Sequence, residues 1–317
     1  MVKRLSLSVV ILLALAALPA AQELSELPAA VALFQRVRIV PNVVYLRANG
    51  WEGKLDVYAQ RTPRQPGPVP VVMFIHGGGW VPGTKEGSVL QGVLPYVAAG
   101  YSVVNVEYRL ANVSLAPAAI EDCRCALRWI AAHAKDYNFD ANRIVVAGAS
   151  AGGHLALTTG MAPASAGFDR SCYTVDEPRV AAIVDFFGIT DIADLLDGPN
   201  KKPFPESWPY TVQWLGNQPN RAELAKAASP LTYVRAGVPP TIAIHGDADP
   251  LVPYNHSVRL QDALQKAGVA HKLVTIPRGG HGNFTVGEWR DAFVEIDAFL
   301  SAHIPPAKPP SSPAAPR

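Results

Sequence analysis

After about residue 70 the chain alternates between short apolar runs rich in β-branched residues and longer stretches whose apolar positions recur every three or four residues. The short runs, at 70–75, 102–106, 143–147, 180–185, 241–245 and 272–276, are mostly apolar, as in strands buried on both faces. The longer ones, at 86–98, 117–134, 151–160, 254–267 and 287–302, carry the helical period. Such alternation predicts an α/β protein with a mostly parallel sheet covered by helices on both faces. Two earlier β-rich segments, 42–48 and 54–58, flank "NGWEG". Asn-Gly favours a tight hairpin turn, so these predict an antiparallel pair at one edge and bring the sheet to eight strands.

Three stretches stand outside this pattern. Residues 186–238 carry Trp208, Tyr210 and Trp214 among many prolines between two strands, and a lid or pocket wall is expected there. The alternative is a surface excursion packed on its own aromatics. Residues 304–317 form a Pro-rich tail that cannot build a core and is expected to be disordered. Residues 1–21 read as a signal peptide: Lys3 and Arg4 precede an apolar run that ends in Pro19-Ala20-Ala21. One domain over 22–303 remains, with export to a periplasmic or extracellular space.

Composition narrows the partners. The chain has 317 residues, of which 49% are apolar, enough for one large core. Without its first 21 residues it carries 26 basic against 26 acidic side chains, so nucleic acid has no electrostatic hold on it. The leader is too short for a stable membrane anchor. Nothing in the pattern fixes an oligomeric state. Of three cysteines, Cys123 and Cys125 lie two apart on a predicted helix and face different ways. Either one of them pairs with Cys172, or all three are buried thiols. No CxxC, HExxH or acidic calcium-loop pattern occurs, and neither a metal nor another cofactor is implied.

The chemistry centres on "VVAGASAGGHLAL", residues 145–157, a G-x-S-x-G pattern that is weak by itself. Its context is a strand before and a helix after, as a nucleophile elbow at Ser150 requires. Gly148 and Gly152 remove side chains that would collide at such a turn, and the helix N-terminus favours negative charge beside Ser150. A serine hydroxyl needs a base, and an attacked carbonyl needs donors for its developing charge. "FIHGGGW", residues 74–80, ends a strand in three glycines. Gly78 and Gly79, with the Ala151 N–H, are the expected oxyanion donors, and the Trp80 N–H is an alternative.

Among eight histidines, His281 in "IPRGGHGNF" follows the last strand in a glycine-rich loop and is the expected base. Asp249 in "HGDADPLVP" is its expected carboxylate partner, with Asp247 the rival. His76 is read as a brace of the glycine loop, His154 as structural and His245 as loop-shaping. His133, His256, His271 and His303 are read as helix or surface positions without a converging partner. Trp80, Trp208, Tyr210 and Trp214 are the expected pocket residues.

At "HGGGW", "VEYRL", "GASAGGHLAL", "HGDADPLVP" and "GGHG" the chain resembles the α/β-hydrolases. More narrowly, it is similar to secreted carboxylesterases of the hormone-sensitive-lipase-like and acetylxylan/feruloyl esterase-like groups, over about residues 40–302. The resemblance implies the α/β-hydrolase fold, a Ser150–Asp249–His281 triad and hydrolysis of short to medium acyl esters through an acyl-enzyme, acetyl or feruloyl esters of plant polysaccharides among them. Two features depart from it. About twenty mature residues precede the first strand, where the lipase-like group has a helical cap, and "EYRL" continues into "ANVSLAPAAIED" instead of a short Pro-rich step. A prolyl-oligopeptidase-like peptidase or amidase and a non-catalytic binding protein of the same fold are the rival readings.

Overall fold

The structure, a computed structural model, describes residues 31–304 apart from 33–34, 62, 64–65, 171 and 201–209. The expected signal peptide, the Pro-rich tail and Trp208 therefore lie outside the described residues. All the strands and helices named below belong to the unit that begins at Val37; the other unit is Met1–Arg36.

Eight strands form one sheet: β1 Val37–Ala48, β2 Trp51–Gln60, β3 Val69–Ile75, β4 Ser102–Val106, β5 Phe139–Ala149, β6 Val180–Phe186, β7 Thr241–Gly246 and β8 His271–Ile276. Their order is β1-β2-β4-β3-β5-β6-β7-β8. β2 is antiparallel to both neighbours, and β4 through β8 run parallel. The predicted hairpin is present, and longer than its apolar pattern implied. Asn49 (φ 49) and Gly50 (φ 80) make the two-residue turn with both centres left-handed, the geometry that matches strand twist.

The helices are α1 Leu94–Ala99, α2 Ala118–Ala132, α3 Ala151–Met161, α4 Ile192–Asp197, α5 Tyr210–Leu215, α6 Arg221–Ala227, α7 Asn255–Lys266 and α8 Val286–His303. They cover both faces, and β3 indicates how. Val71, Met73 and Ile75 join a core with residues of α2, α3 and α7. Side chains alternate along a strand, so Phe74 points the other way, where Gly92 packs on its ring. Tyr96 of α1 meets Phe293 of α8 on that side, with ring centroids 5.7 Å apart.

The helix expected over 86–98 is instead three pieces: a 3-10 turn at Lys85–Ser88, a π turn at Val89–Val93 and α1. Pro95 has no N–H to bond the preceding turn, and a Cβ at Gly92 would lie 2.2 Å from the Phe74 ring, so the segment bends to the sheet. The described part of the 186–238 segment contains α4, α5, α6 and a 3-10 turn at Pro230–Tyr233. It is rooted in the core through Trp214, Leu215, Ala225 and Ala228, all fully buried. Cys125 pairs with Cys172, leaving Cys123 as a buried free thiol.

Candidate active site

β5 delivers the chain to Ser150 and α3 begins at Ala151. Ser150 holds φ 58 and ψ −119, an arrangement that costs on the order of 1–3 kcal/mol for a residue with a Cβ. Neighbouring contacts enforce it. The Ser150 N–H donates to the Phe186 carbonyl at 2.8 Å, and its own carbonyl accepts from the His154 N–H at 3.0 Å. The turn is so close that a Cβ on Gly148 would lie 2.3 Å from the Gly152 carbonyl oxygen, and one on Gly152 would lie 2.1 Å from that of Ile75. The spacing of the two glycines around Ser150 is thus a requirement of backbone contact.

His281 and Asp249 arrive from the loops after β8 and β7. The His281 Nε2 is 2.8 Å from Ser150 Oγ, and its Nδ1 is 2.7 Å from Asp249 Oδ2. A carboxylate on Nδ1 keeps the proton there and leaves the Nε2 lone pair toward the hydroxyl. The loop "DPLV" aims Asp249, since the Leu251 and Val252 N–H groups donate to its Oδ1 at 2.7 and 3.0 Å. Burial works to raise the Asp249 carboxyl, but hydrogen bonds from His245 and His281 outweigh it and hold it well below the usual carboxylate range. Asp247, the rival, accepts the Arg278 N–H at 2.5 Å and tightens the loop after β8.

His245 does more than shape its loop. Its Nε2 lies 3.1 Å from the Val252 carbonyl and 3.2 Å from Asp249 Oδ2, with Nδ1 2.7 Å from Ser257 Oγ. A carbonyl only accepts, so Nε2 carries the proton and Asp249 has a second imidazole donor. The sequence signal for it was the four-residue spacing in "HGDAD".

The glycine loop follows the end of β3. Gly78 (φ 114), Gly79 (φ 59) and Trp80 (φ 61) are left-handed in succession, and among the described residues neither the Gly78 nor the Gly79 N–H has an acceptor. Ala151 opens α3, so its N–H is unpaired by helix geometry. Free donors thus come from Ala151, next to Ser150 in the chain, and from the loop just after Gly77, where a Cβ would lie 3.4 Å from that of Ser150. His76 braces this loop: its Nδ1 donates to the Gly77 carbonyl at 2.8 Å and its ring stacks on Tyr108, whose hydroxyl donates to the His76 carbonyl at 3.0 Å. Tyr108 belongs to "VEYRL", and the next residue, Arg109, clamps Asp122 of α2 through Nε and Nη2 at 2.9 and 2.7 Å.

The expected pocket residues divide. Tyr210 packs directly on Gly79, where a Cβ would come within 2.5 Å of its ring. Trp80 and Trp214 are not pocket walls. They are fully buried and stacked on one another at 4.5 Å, and the Trp80 indole N–H donates to His154 Nδ1 at 3.2 Å. His154 in turn donates from Nε2 to the Ala228 carbonyl at 2.7 Å, and burial pushes its pKa down to about 4 against that bond. This stack and His154 tie the glycine loop and α3 to the segment after α6. An indole ring reads as pocket or core only by its neighbours, which sequence does not supply.

A cleft beside Ala149, the residue before Ser150, is walled largely by side chains the sequence did not single out as pocket residues. About 300 Å³ in volume, it is bounded by Gly77, Gly78 and Ala149, floored by Phe74 and Phe186 and walled by Trp289. The ring of Phe187 lies 4.7 Å from that of His281. Asp185, near the end of β6, is fully buried, and among the described residues only its Oδ1 is bonded, by the Gly188 N–H at 2.9 Å. Burial raises its pKa to about 7, against the opposing pull of His245 and that N–H.

His256 also corrects its reading as a helix or surface position without a partner. It is completely buried; its Nδ1 accepts from the Thr190 N–H at 3.1 Å and its Nε2 lies 3.1 Å from Asp194 Oδ2. The fold brings α4 and α7 together at this point.

The BD-FAE family model matches residues 55–264, about two thirds of the chain. The chain belongs to the BD-FAE family. Probable carboxylic ester hydrolase LipM of Mycobacterium tuberculosis is 31% identical over 262 residues, covering 81% of this chain and 59% of LipM. Esterase LipQ of the same organism is 29% identical, covering 70% of this chain and 52% of LipQ. The chain therefore spans little more than half the length of these relatives. A truncated carbohydrate esterase from gut microbiota superposes with a TM-score of 0.72 at 26% identity, over 83% of this chain and 96% of that one. Propionate-bound esterase 2 of Thermogutta terrifontis gives 0.68 at 27%, over 87% and 98%. The fold of this BD-FAE member is that of the α/β-hydrolase esterases.

Proposed function

We propose that the protein is an exported serine carboxylic-ester hydrolase. The observation that carries the reading is the unbroken chain Asp249–His281–Ser150, with contacts of 2.7 and 2.8 Å, ending at a serine on a helix N-terminus. His281 Nε2 takes the Ser150 proton as Oγ attacks the ester carbonyl, and the oxyanion draws on the Ala151 N–H and those of Gly78 and Gly79. Collapse transfers the acyl group to Ser150 while His281 protonates the departing alcohol. Water, deprotonated by His281, then releases the acid and restores the serine. Asp249, kept ionised by its two imidazole donors, stabilises the imidazolium in both steps.

Acyl esters on carbohydrate, acetyl or feruloyl, are the substrates of this reading; family membership and likeness to a carbohydrate esterase support it. The Cys125–Cys172 disulfide supports export, because such bonds persist in oxidising compartments. Turnover of p-nitrophenyl acetate, acetylated xylan and methyl ferulate, measured beside a matched amide, tests the reaction. Ester hydrolysis lost in Ser150→Ala is the expected result; faster cleavage of the amide, or equal rates in the variant, overturns it.

A further inference from the structure

The cleft beside Ala149 has a rim as well as a floor, and the rim is the 3-10 turn Lys85–Ser88 that replaced the front of the expected helix. That turn is anchored. Buried Lys85 places its ammonium 3.1 Å from Asp56, its N–H donates to Glu107 at 3.0 Å, and its carbonyl accepts from Asn105 Nδ2 at 2.7 Å. Gly87, two residues on, lines the cleft from an anchored turn.

The glycines around the cleft do not share one reason for being glycine. A Cβ on Gly77 would come 2.8 Å from the Ala149 carbonyl oxygen, one on Gly78 1.9 Å from that of Pro82, and one on Gly83 2.6 Å from that of Gly77. Gly87 has no left-handed φ, and a Cβ there would meet nothing within 4 Å. A glycine in a helical turn loses backbone entropy on folding without any packing return. Gly87 lines the cleft, and there is unoccupied space for a side chain at this position.

We infer that this cleft receives the acyl group of the ester and that Gly87 sets the chain length it admits, so that unbranched acyl groups longer than acetyl are substrates. This rests on the reading of the site as an ester hydrolase. The side follows from proton traffic. His281 must hand its proton to the alcohol oxygen, so the alcohol occupies the imidazole's side and the acyl substituent projects away from it. The cleft fits the second place: it is lined by Gly77, Gly78 and Ala149, and by neither His281 nor Phe187, the ring beside the imidazole. Its floor of Phe74, Phe186 and Trp289 offers apolar surface to methylenes, with the rim open above them.

The test is a kcat/KM series on p-nitrophenyl esters from acetyl to octanoyl, with a second series of acetyl esters of different alcohols, for wild type, Gly87→Ala, Gly87→Leu and Ser150→Ala. The expected result is a fall of at least ~10-fold in the octanoyl-to-acetyl ratio in Gly87→Leu, since one methylene in a pocket is already worth that much. Gly87→Ala should fall between it and wild type, and the alcohol series should keep its order. A ratio is insensitive to the fraction of variant that folds. Unchanged chain-length selectivity in Gly87→Leu, or a change confined to the alcohol series, overturns the inference while leaving the hydrolase reading intact. No Ser150-dependent turnover in wild type overturns both.

Discussion

The His281–Asp249 pair sits on the loops after β8 and β7 and the His256–Asp194 pair on α7 and α4, and the difference between them explains which can do chemistry. His281 binds Asp249 at 2.7 Å and His256 binds Asp194 at 3.1 Å. In each the carboxylate fixes one ring nitrogen. The other nitrogen decides the rest. That of His281 faces the Ser150 hydroxyl, a group that can both give a proton and attack, and its side chain is 17% exposed. That of His256 accepts from the Thr190 backbone N–H in a site with no exposure, and an amide has no proton to yield. Burial outweighs the pull of Asp194 and pushes His256 down to about 4, so it stays a neutral strut. A His–Asp pair marks a general base only when its far nitrogen meets a reactive partner within reach of substrate.

The sharpest way to break this contrast is to exchange the consequences of mutation. Ser150→Ala and His281→Ala should each lower kcat for p-nitrophenyl acetate by ~10⁴-fold or more, and Asp249→Asn by ~10⁴, with little change in unfolding midpoint. His256→Ala should do the reverse. It removes one partner of a buried pair, an expected loss of about 3 kcal/mol in chemical denaturation, with kcat per folded molecule within about twofold of wild type. A stable His256 variant without activity would erase the distinction.

Acid should act on the strut and its relative before it acts on the fold as a whole. His154 and His256 are both held near 4 in the folded state, so between about 4 and their ordinary 6.5 the unfolded chain binds more protons. Their stabilisation is full above pH 6.5 and is lost as pH falls toward 4. Asp185, raised to about 7, has the opposite sign: the folded state binds the extra proton, and that contribution is lost as pH rises toward 7. Two protons against one leave a net fall of stability on acidification, on the order of 3 kcal/mol across the window. Asp185→Asn removes the opposing slope and should steepen the fall in urea titrations between pH 4 and 6.5; an unchanged slope would show that Asp185 does not hold its proton there.

The smallest effect separates the two carboxylates of one loop. Among the described residues the Asp247 side chain receives the Arg278 N–H, a bond an amide oxygen can also accept. Asp247→Asn is expected within about 0.5 kcal/mol of wild-type stability, with activity within about twofold. A large loss of turnover would transfer the role of Asp249 to its neighbour.

Much of this site was legible before the fold because its parts are backbone devices. Strand–turn–helix, a run of glycines and a loop of Asp-Pro type each leave a local trace, so Ser150, the "HGGGW" loop, Asp249 and His281 were readable and the structure brings them together. The six later strands were readable from their β-branched runs, and β1 and β2 from the β-rich segments flanking the Asn-Gly turn. Trp80 and Trp214 were misread because a large aromatic is equally suited to a pocket wall and to a core, and their stack joins residues far apart in the chain. Phe74, Phe186 and Trp289 were missed as cleft residues because strand and helix periodicity marks them only as apolar. His256 was missed because nothing near it in sequence announces Thr190 or Asp194.

The sequence by itself determined the periodicities, the turn residues and the order of the reacting groups, all properties of segments a few residues long. Which apolar side chains enclose a substrate and which enclose each other was decided by tertiary structure alone. So was the division of the histidines into base, strut and brace. Those outcomes depend on neighbours 32 to 131 positions away, which only the closed sheet and its covering helices bring within hydrogen-bonding distance.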